Sequence, residues 1–199
     1  IKSSAASDVY KRQQEIMATI AELLASSLNV LKQVQQNGDF MIVKSGDLSY
    51  THIRRLVKHN FLKPIIKGWY VVTDPRALPG DSTAWYASFW NFITRYATER
   101  YGNEWCLSAE QSLAIYSGAT TVPNQVLIRA PKGNNYVVEL IPPTSIFNLS
   151  AELPSKIDTN NPYKLNLYPL TEAIISATPT MYRNDALTMR TALAMVRDG

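Results

Sequence analysis

Eight side chains between Tyr50 and Trp69 have the chemistry to grip a phosphate backbone: Tyr50, Thr51, Arg54, Arg55, Lys58, Lys63, Lys67 and Trp69. An arginine offers a planar fork of donors that fits guanine or phosphate two-pronged, and a lysine offers a compact charge. Thr or Tyr can bond a phosphate or a base edge. The residues for covalent or acid–base chemistry are sparse. His52 and His59 are the only histidines and Cys106 is the only cysteine, a set without zinc-ligand spacing. Each histidine reads as a surface or packing residue. Cys106, between Trp105 and Leu107 in an apolar run, reads as a buried structural thiol. Nucleotide-binding and metalloprotease motifs of the types G-x-G-x-x-G, G-x-x-x-x-G-K-[ST] and H-E-x-x-H do not occur. The chain is therefore read as a non-enzyme, with no catalytic residue, cofactor or metal ligand assigned.

The elements that must hold these cations are a short helix and a ribbon. Ser49 is a good N-cap, and Ile53, Leu56 and Val57 fall at i, i+3 and i+4, one apolar stripe. Arg54, Arg55 and Lys58 face away from it. Beyond Phe61 the pattern predicts strands over Lys63–Ile66 and Trp69–Val72, joined across Lys67-Gly68, where Gly68 supplies a positive φ. A basic helix followed by a basic ribbon is the layout of a winged helix-turn-helix. In that fold the helix, here with Tyr50, Thr51, Arg54, Arg55 and Lys58, enters the major groove. The wing, here with Lys63, Lys67 and Trp69, rests on phosphates. Charge is concentrated in the same place. Residues 31–72 hold seven Lys/Arg and two Asp, while residues 73–199 hold ten Lys/Arg and eleven Asp/Glu, within a net charge of +4. Such a patch gains from counterion release on a phosphate backbone.

The 199 residues allow one large or two small domains. Helices are expected over Glu15–Leu24 and Ser26–Gln36, ending at Asn37-Gly38, with a short strand over Phe40–Val43. Breakers at Asp74-Pro75 and Leu78–Asp81 mark a linker. Beyond it, Ser82–Tyr101 reads as a helix whose stripe of Trp85, Phe89, Phe92 and Ile93 is core rather than a base-stacking platform. Trp105–Leu107 reads as a strand, and Ser108 with Gln111 as a capping box. Gln125–Ala130 and Tyr136–Ile141 read as a hairpin turning at Lys132–Asn135, a plain turn rather than an anion nest. A strand over Leu165–Tyr168 and helices over Leu170–Ala177 and Asp185–Val196 complete the reading. Asn148-Leu-Ser150 fits a glycosylation sequon that carries no weight without secretion. The fold class expected is α+β: a winged-helix domain over 14–75, then a small α+β regulatory or interaction domain over 82–199. Residues 1–13 are set aside, because SSAASDVYKRQ at Ser3–Gln13 resembles a translated sequencing-adapter tail. No signal peptide or membrane span is read, and a single cysteine suits a reducing, cytoplasmic compartment.

The N-terminal half resembles the winged-helix domain of AbiEi-type antitoxins. The resemblance rests on Ile53-Arg-Arg-Leu-Val-Lys-His-Asn-Phe-Leu62 and Lys67-Gly-Trp-Tyr70, against a family pattern of L-x-x-L-V-x-x-G-x-L followed by x-x-G-x-Y. Leu107–Leu140 and Leu165–Ser176 resemble the family's second domain. Two departures stand out. Val43 to Ser49 leaves no room for the usual second helix, and Asn60 stands where the family often has Gly. The resemblance implies a DNA-binding regulator of a bacterial toxin–antitoxin system. Its expected partners are double-stranded DNA at a promoter and a cognate toxin, with a homodimer suited to reading a palindrome. The whole segment, including Ala114–Asn135 (AIYSGATTVPNQVLIRAPKGNN), also resembles the N-terminal region of some long bacterial Fic-domain proteins, enzymes that transfer AMP to hydroxyl groups. The Fic signature H-P-F-x-[DE]-G-N and the inhibitory S/T-x-x-x-E-[GN] motif are absent. On that alternative the chain is a non-catalytic regulatory front end, with the Fic domain in cis beyond Gly199.

Overall fold

The computed structural model describes residues 3–36, 41–119 and 121–196, with side chains from Met17 onward, Ala18 excepted. Among the described residues are seven helices and two small sheets, an α+β fold. The chain divides into two compact units, Ile1–Ala84 and Trp85–Gly199.

The first unit runs α1 (Ser3–Gln36), β1 (Ile42–Lys44), α2 (Tyr50–Lys58), β2 (Leu62–Ile66) and β3 (Trp69–Val72). Where two helices were expected, α1 is one unbroken helix, since Ala25 and Ser26 contain no breaker and the apolar spacing runs through them. The expected Asn37-Gly38 cap and Phe40 lie outside the described residues. Leu24, Leu28, Leu31 and Val34 of α1 join Val43, Leu48, Ile53, Leu56 and Leu62 in one core. The sheet order is β1-β3-β2, all antiparallel. Pro64 is tolerated because β2 is an edge strand and needs no donor on its open side. The hairpin closes with Ile66 opposite Trp69, and Gly68 has φ +82°. Residues 45–48 form a turn, not a helix. Asp47 N donates to the Lys44 carbonyl at 2.9 Å, and Lys44 N donates to the Asp47 carboxylate at 2.8 Å.

The end of α2 explains Asn60. It sits at φ +60°, in the left-handed region, with Phe61 N donating to Leu56 O (2.9 Å) and Asn60 N to Val57 O (3.1 Å). This is the Schellman closure in which a glycine usually occupies the turn residue, and Asn is the next most tolerant side chain there.

The second unit holds most of α3 (Thr83–Tyr101), then β4 (Cys106–Leu107), α4 (Ala109–Tyr116), β5 (Gln125–Ala130), β6 (Tyr136–Glu139), β7 (Ser145–Ser150), α5 (Leu170–Ser176), α6 (Pro179–Asn184) and α7 (Ala186–Met195). The aromatic stripe of α3 is core: Trp85, Phe89, Phe92 and Ile93 are buried, with Trp85 edge-on to Phe89 at 5.3 Å. The hairpin expectation is corrected. Strands β5 and β6 do not pair, because β7 lies between them in the order β4-β5-β7-β6, parallel to β5 and antiparallel to β6. The segment 131–135 therefore crosses over β7, and Gly133 is required there. A Cβ at Gly133 would sit 2.6 Å from Ser150 N. Asn148 of the sequon is buried in β7 and accepts from the Tyr101 hydroxyl at 2.9 Å. The capping box at α4 is half made. Ser108 Oγ accepts from Gln111 N, but the Gln111 side chain bonds β5 instead, through Gln125 O and Leu127 N. The expected strand at Leu165–Tyr168 reduces to one bridge, Asp158 with Leu167. Helix α6 is additional to the sequence reading.

Candidate nucleic-acid interface

Helix α2 is amphipathic by sequence and is seated accordingly. Ser49 Oγ accepts from His52 N at 3.5 Å, and Ile53 and Leu56 point into the core. At 100° per residue, Tyr50, Arg54, Lys58 and Thr51 then fall within about a third of a turn on the opposite side. All four are exposed, and Tyr50 is 77 % exposed. Among the described residues none of Arg54, Lys58 or Lys67 forms an ion pair with a carboxylate. Lys67 occupies the hairpin tip and is exposed.

Three expected contacts are placed differently. Arg55 is half-buried and turned onto α1, donating from Nη1 to Ser27 Oγ at 2.7 Å and to the Leu23 carbonyl at 3.1 Å. Its guanidinium ties α2 to α1. Trp69 is 7 % exposed, and the Lys44 ammonium lies 5.8 Å from its ring centroid. Lys63 is exposed, but it pairs opposite Val71 and so leaves the sheet on the face away from Leu62 and the helical core. It lines an open cleft of about 430 Å³ with Asp74 and Asp81. The Asp81 carboxyl is held below its ordinary range by hydrogen bonds from Thr83, with Lys63 adding attraction. Part of the Lys63 field is thus directed at the chain itself.

Ser27 is the residue that sequence reasoning missed. It is fully buried, and its hydroxyl lies 2.9 Å from His52 Nδ1 as well as meeting Arg55. Its signal was present: a polar residue in the α1 seam of Leu24, Ser27, Leu31 and Val34. Ile20 and Leu23 of α1 stand beside the cationic face. They form one wall of a groove of about 300 Å³ whose other wall is Thr51, Arg54, Arg55, Lys58 and His59.

Elsewhere burial shifts several titratable groups. Burial pushes the Cys106 thiol up to about 12, with the Arg129 charge opposing it. Burial also raises the Tyr116 hydroxyl, helped by its hydrogen bond to the Asp158 carboxylate at 2.7 Å. No helix among the described residues is long and apolar enough to cross a membrane. No protein-family model matches the chain, and no curated protein matches it.

Proposed function

We propose that the first unit is a winged-helix-type DNA-binding module in which α2 is the reading helix and Lys67 leads the wing. The observation that carries this reading is the exposed face of Tyr50, Thr51, Arg54 and Lys58. It lies away from the core stripe, and among the described residues no carboxylate pairs with its cations. A helix of this width fits a major groove, with Arg54 reaching a guanine edge and Lys58 and Thr51 a phosphate. On this reading the turn at 45–48 stands where a second helix would be, and the unit is an abbreviated form of that architecture. Taken with the AbiEi-like pattern, the function proposed is an antitoxin-like transcriptional regulator acting on promoter DNA. The second unit would serve interaction with a toxin. The alternative, a regulatory front end of a Fic-type AMP transferase, draws on the whole-segment pattern that includes Ala114–Asn135 and uses the same first unit.

Gel shift and fluorescence anisotropy on low-salt duplex DNA test the proposal. Wild-type binding should weaken with salt. Arg54→Ala with Lys58→Ala should reduce the slope of log K against log salt by about 0.9 for each phosphate that is no longer neutralised. Equal binding by wild type and the double variant would refute it.

A further inference from the structure

The groove between α1 and α2 has two walls of opposite character. On one side Ile20 and Leu23 are each 45 % exposed. On the other stand Thr51, Arg54, Arg55 and Lys58, and among the described residues no acidic side chain lines the groove. The apolar wall is not an isolated pair. The α1 residues of the core begin at Leu24 and recur through Leu28, Leu31 and Val34. Ile20 and Met17 continue that seam one and two turns earlier, at 45 % and 69 % exposure. Helix α1 thus carries its core stripe past the end of the core and lays it beside the cations of α2.

DNA accounts for only half of this surface. A duplex presents phosphates to Arg54 and Lys58 but no continuous apolar face to Ile20 and Leu23. A ligand that satisfies both walls has an apolar stripe bordered by carboxylates, which describes an acidic amphipathic helix. Helices dock in such grooves through anchors at i, i+3 and i+4. Opposite charge along the border sets orientation and speeds encounter.

We propose that this groove receives an acidic amphipathic helix of a partner protein and that the helix excludes DNA by occupying Arg54 and Lys58. The exclusion rests on the DNA-binding reading of α2; the docking itself does not. A partner of this kind would act as a competitive regulator of the module, relieving or preventing promoter binding without any change in the fold. Docking needs no rearrangement, because the seam and the cationic wall are already side by side.

The probe is a fluorescein-labelled, amidated model peptide of about 18 residues, long enough to form a helix in the groove. It carries Leu at i, i+3 and i+4 spacing and Glu on the flanks. The control is a scrambled peptide of the same composition. Anisotropy on the full chain at physiological salt should show the striped peptide binding at least about tenfold more tightly than the scrambled one. It should also displace labelled duplex. Ile20→Asn with Leu23→Asn, both exposed sites, should lose about tenfold in peptide affinity and leave duplex binding unchanged. Arg54→Ala with Lys58→Ala should weaken both ligands. Equal affinity for striped and scrambled peptides overturns the inference, as does an unaltered Ile20→Asn/Leu23→Asn variant. So does sedimentation showing that this variant turns a dimer into a monomer, which would make a second copy the occupant. Peptide binding without duplex binding would sustain the docking and sink the DNA reading; the reverse result would do the opposite.

Discussion

If Arg55 anchors α2 to α1, then Ser27→Ala should loosen the helix that carries the cationic face without touching that face. Ser27 Oγ is fully buried, and it accepts from Arg55 at 2.7 Å and contacts His52 Nδ1 at 2.9 Å. A hydrogen bond from a charged donor contributes about 1.5–3 kcal/mol and a neutral one about 0.5–1.5 kcal/mol. Arg55 is only half-buried and keeps its 3.1 Å bond to the Leu23 carbonyl, so water and the carbonyl recover part of the loss. We expect a net cost of about 1–2 kcal/mol for Ser27→Ala. Arg55→Ala should cost a similar amount, and the pair should couple by about 0.5–2 kcal/mol in a double-mutant cycle. Native-state hydrogen exchange of the α2 amides is the suitable assay, because it follows the stability of this unit alone. The same variants should keep duplex affinity once the protein is folded. The reasoning fails if the two substitutions are additive with no coupling. It also fails if Arg55→Ala leaves α2 protection intact while abolishing DNA binding, which would return Arg55 to the interface.

Other substitutions probe the backbone and the buried thiol. At Asn60, with its positive φ, Gly should leave stability level or raise it by up to about 1 kcal/mol, whereas Val should cost at least about 1–2 kcal/mol by urea titration. Gly133→Ala forces a Cβ into the Leu149–Ser150 backbone and should destabilise the second unit by about 1–3 kcal/mol, seen as weakened exchange protection in β7. Cys106 should resist iodoacetamide at neutral pH in the folded protein and react in urea. Its folded value near 12 lies above its ordinary 9.0, so the unfolded chain loses the proton first. The stability tied to this thiol is complete below about pH 9, and a denaturant midpoint should show it falling as pH rises from there towards 12.

The readable parts of this chain were those fixed over short range. The N-cap at Ser49, the stripe of Ile53, Leu56 and Val57, and the positive φ at Gly68 each depend on a few neighbouring residues, and α2 with its hairpin formed where they indicated. The aromatic residues of α3 were identified as core for the same reason: a continuous stripe that large has to be buried. Misreadings occurred where partners come from far along the sequence. Nothing within Gln125–Ile141 announces that β7 will slide between two strands that look like a hairpin, since Ser145–Ser150 is short and follows two prolines. Nor does a run of cations say which of them is free. Arg54 and Arg55 are adjacent and chemically identical, yet a rotation of 100° along the helix leaves one in water and brings the other to Ser27, 28 residues earlier. The amino-acid order settled which residues make a basic helix and a tight ribbon, because hydrogen-bond capping and side-chain periodicity are local. Tertiary packing chose which cations remain available, buried Trp69, and set the apolar seam of α1 beside α2, because those outcomes depend on contacts between distant segments.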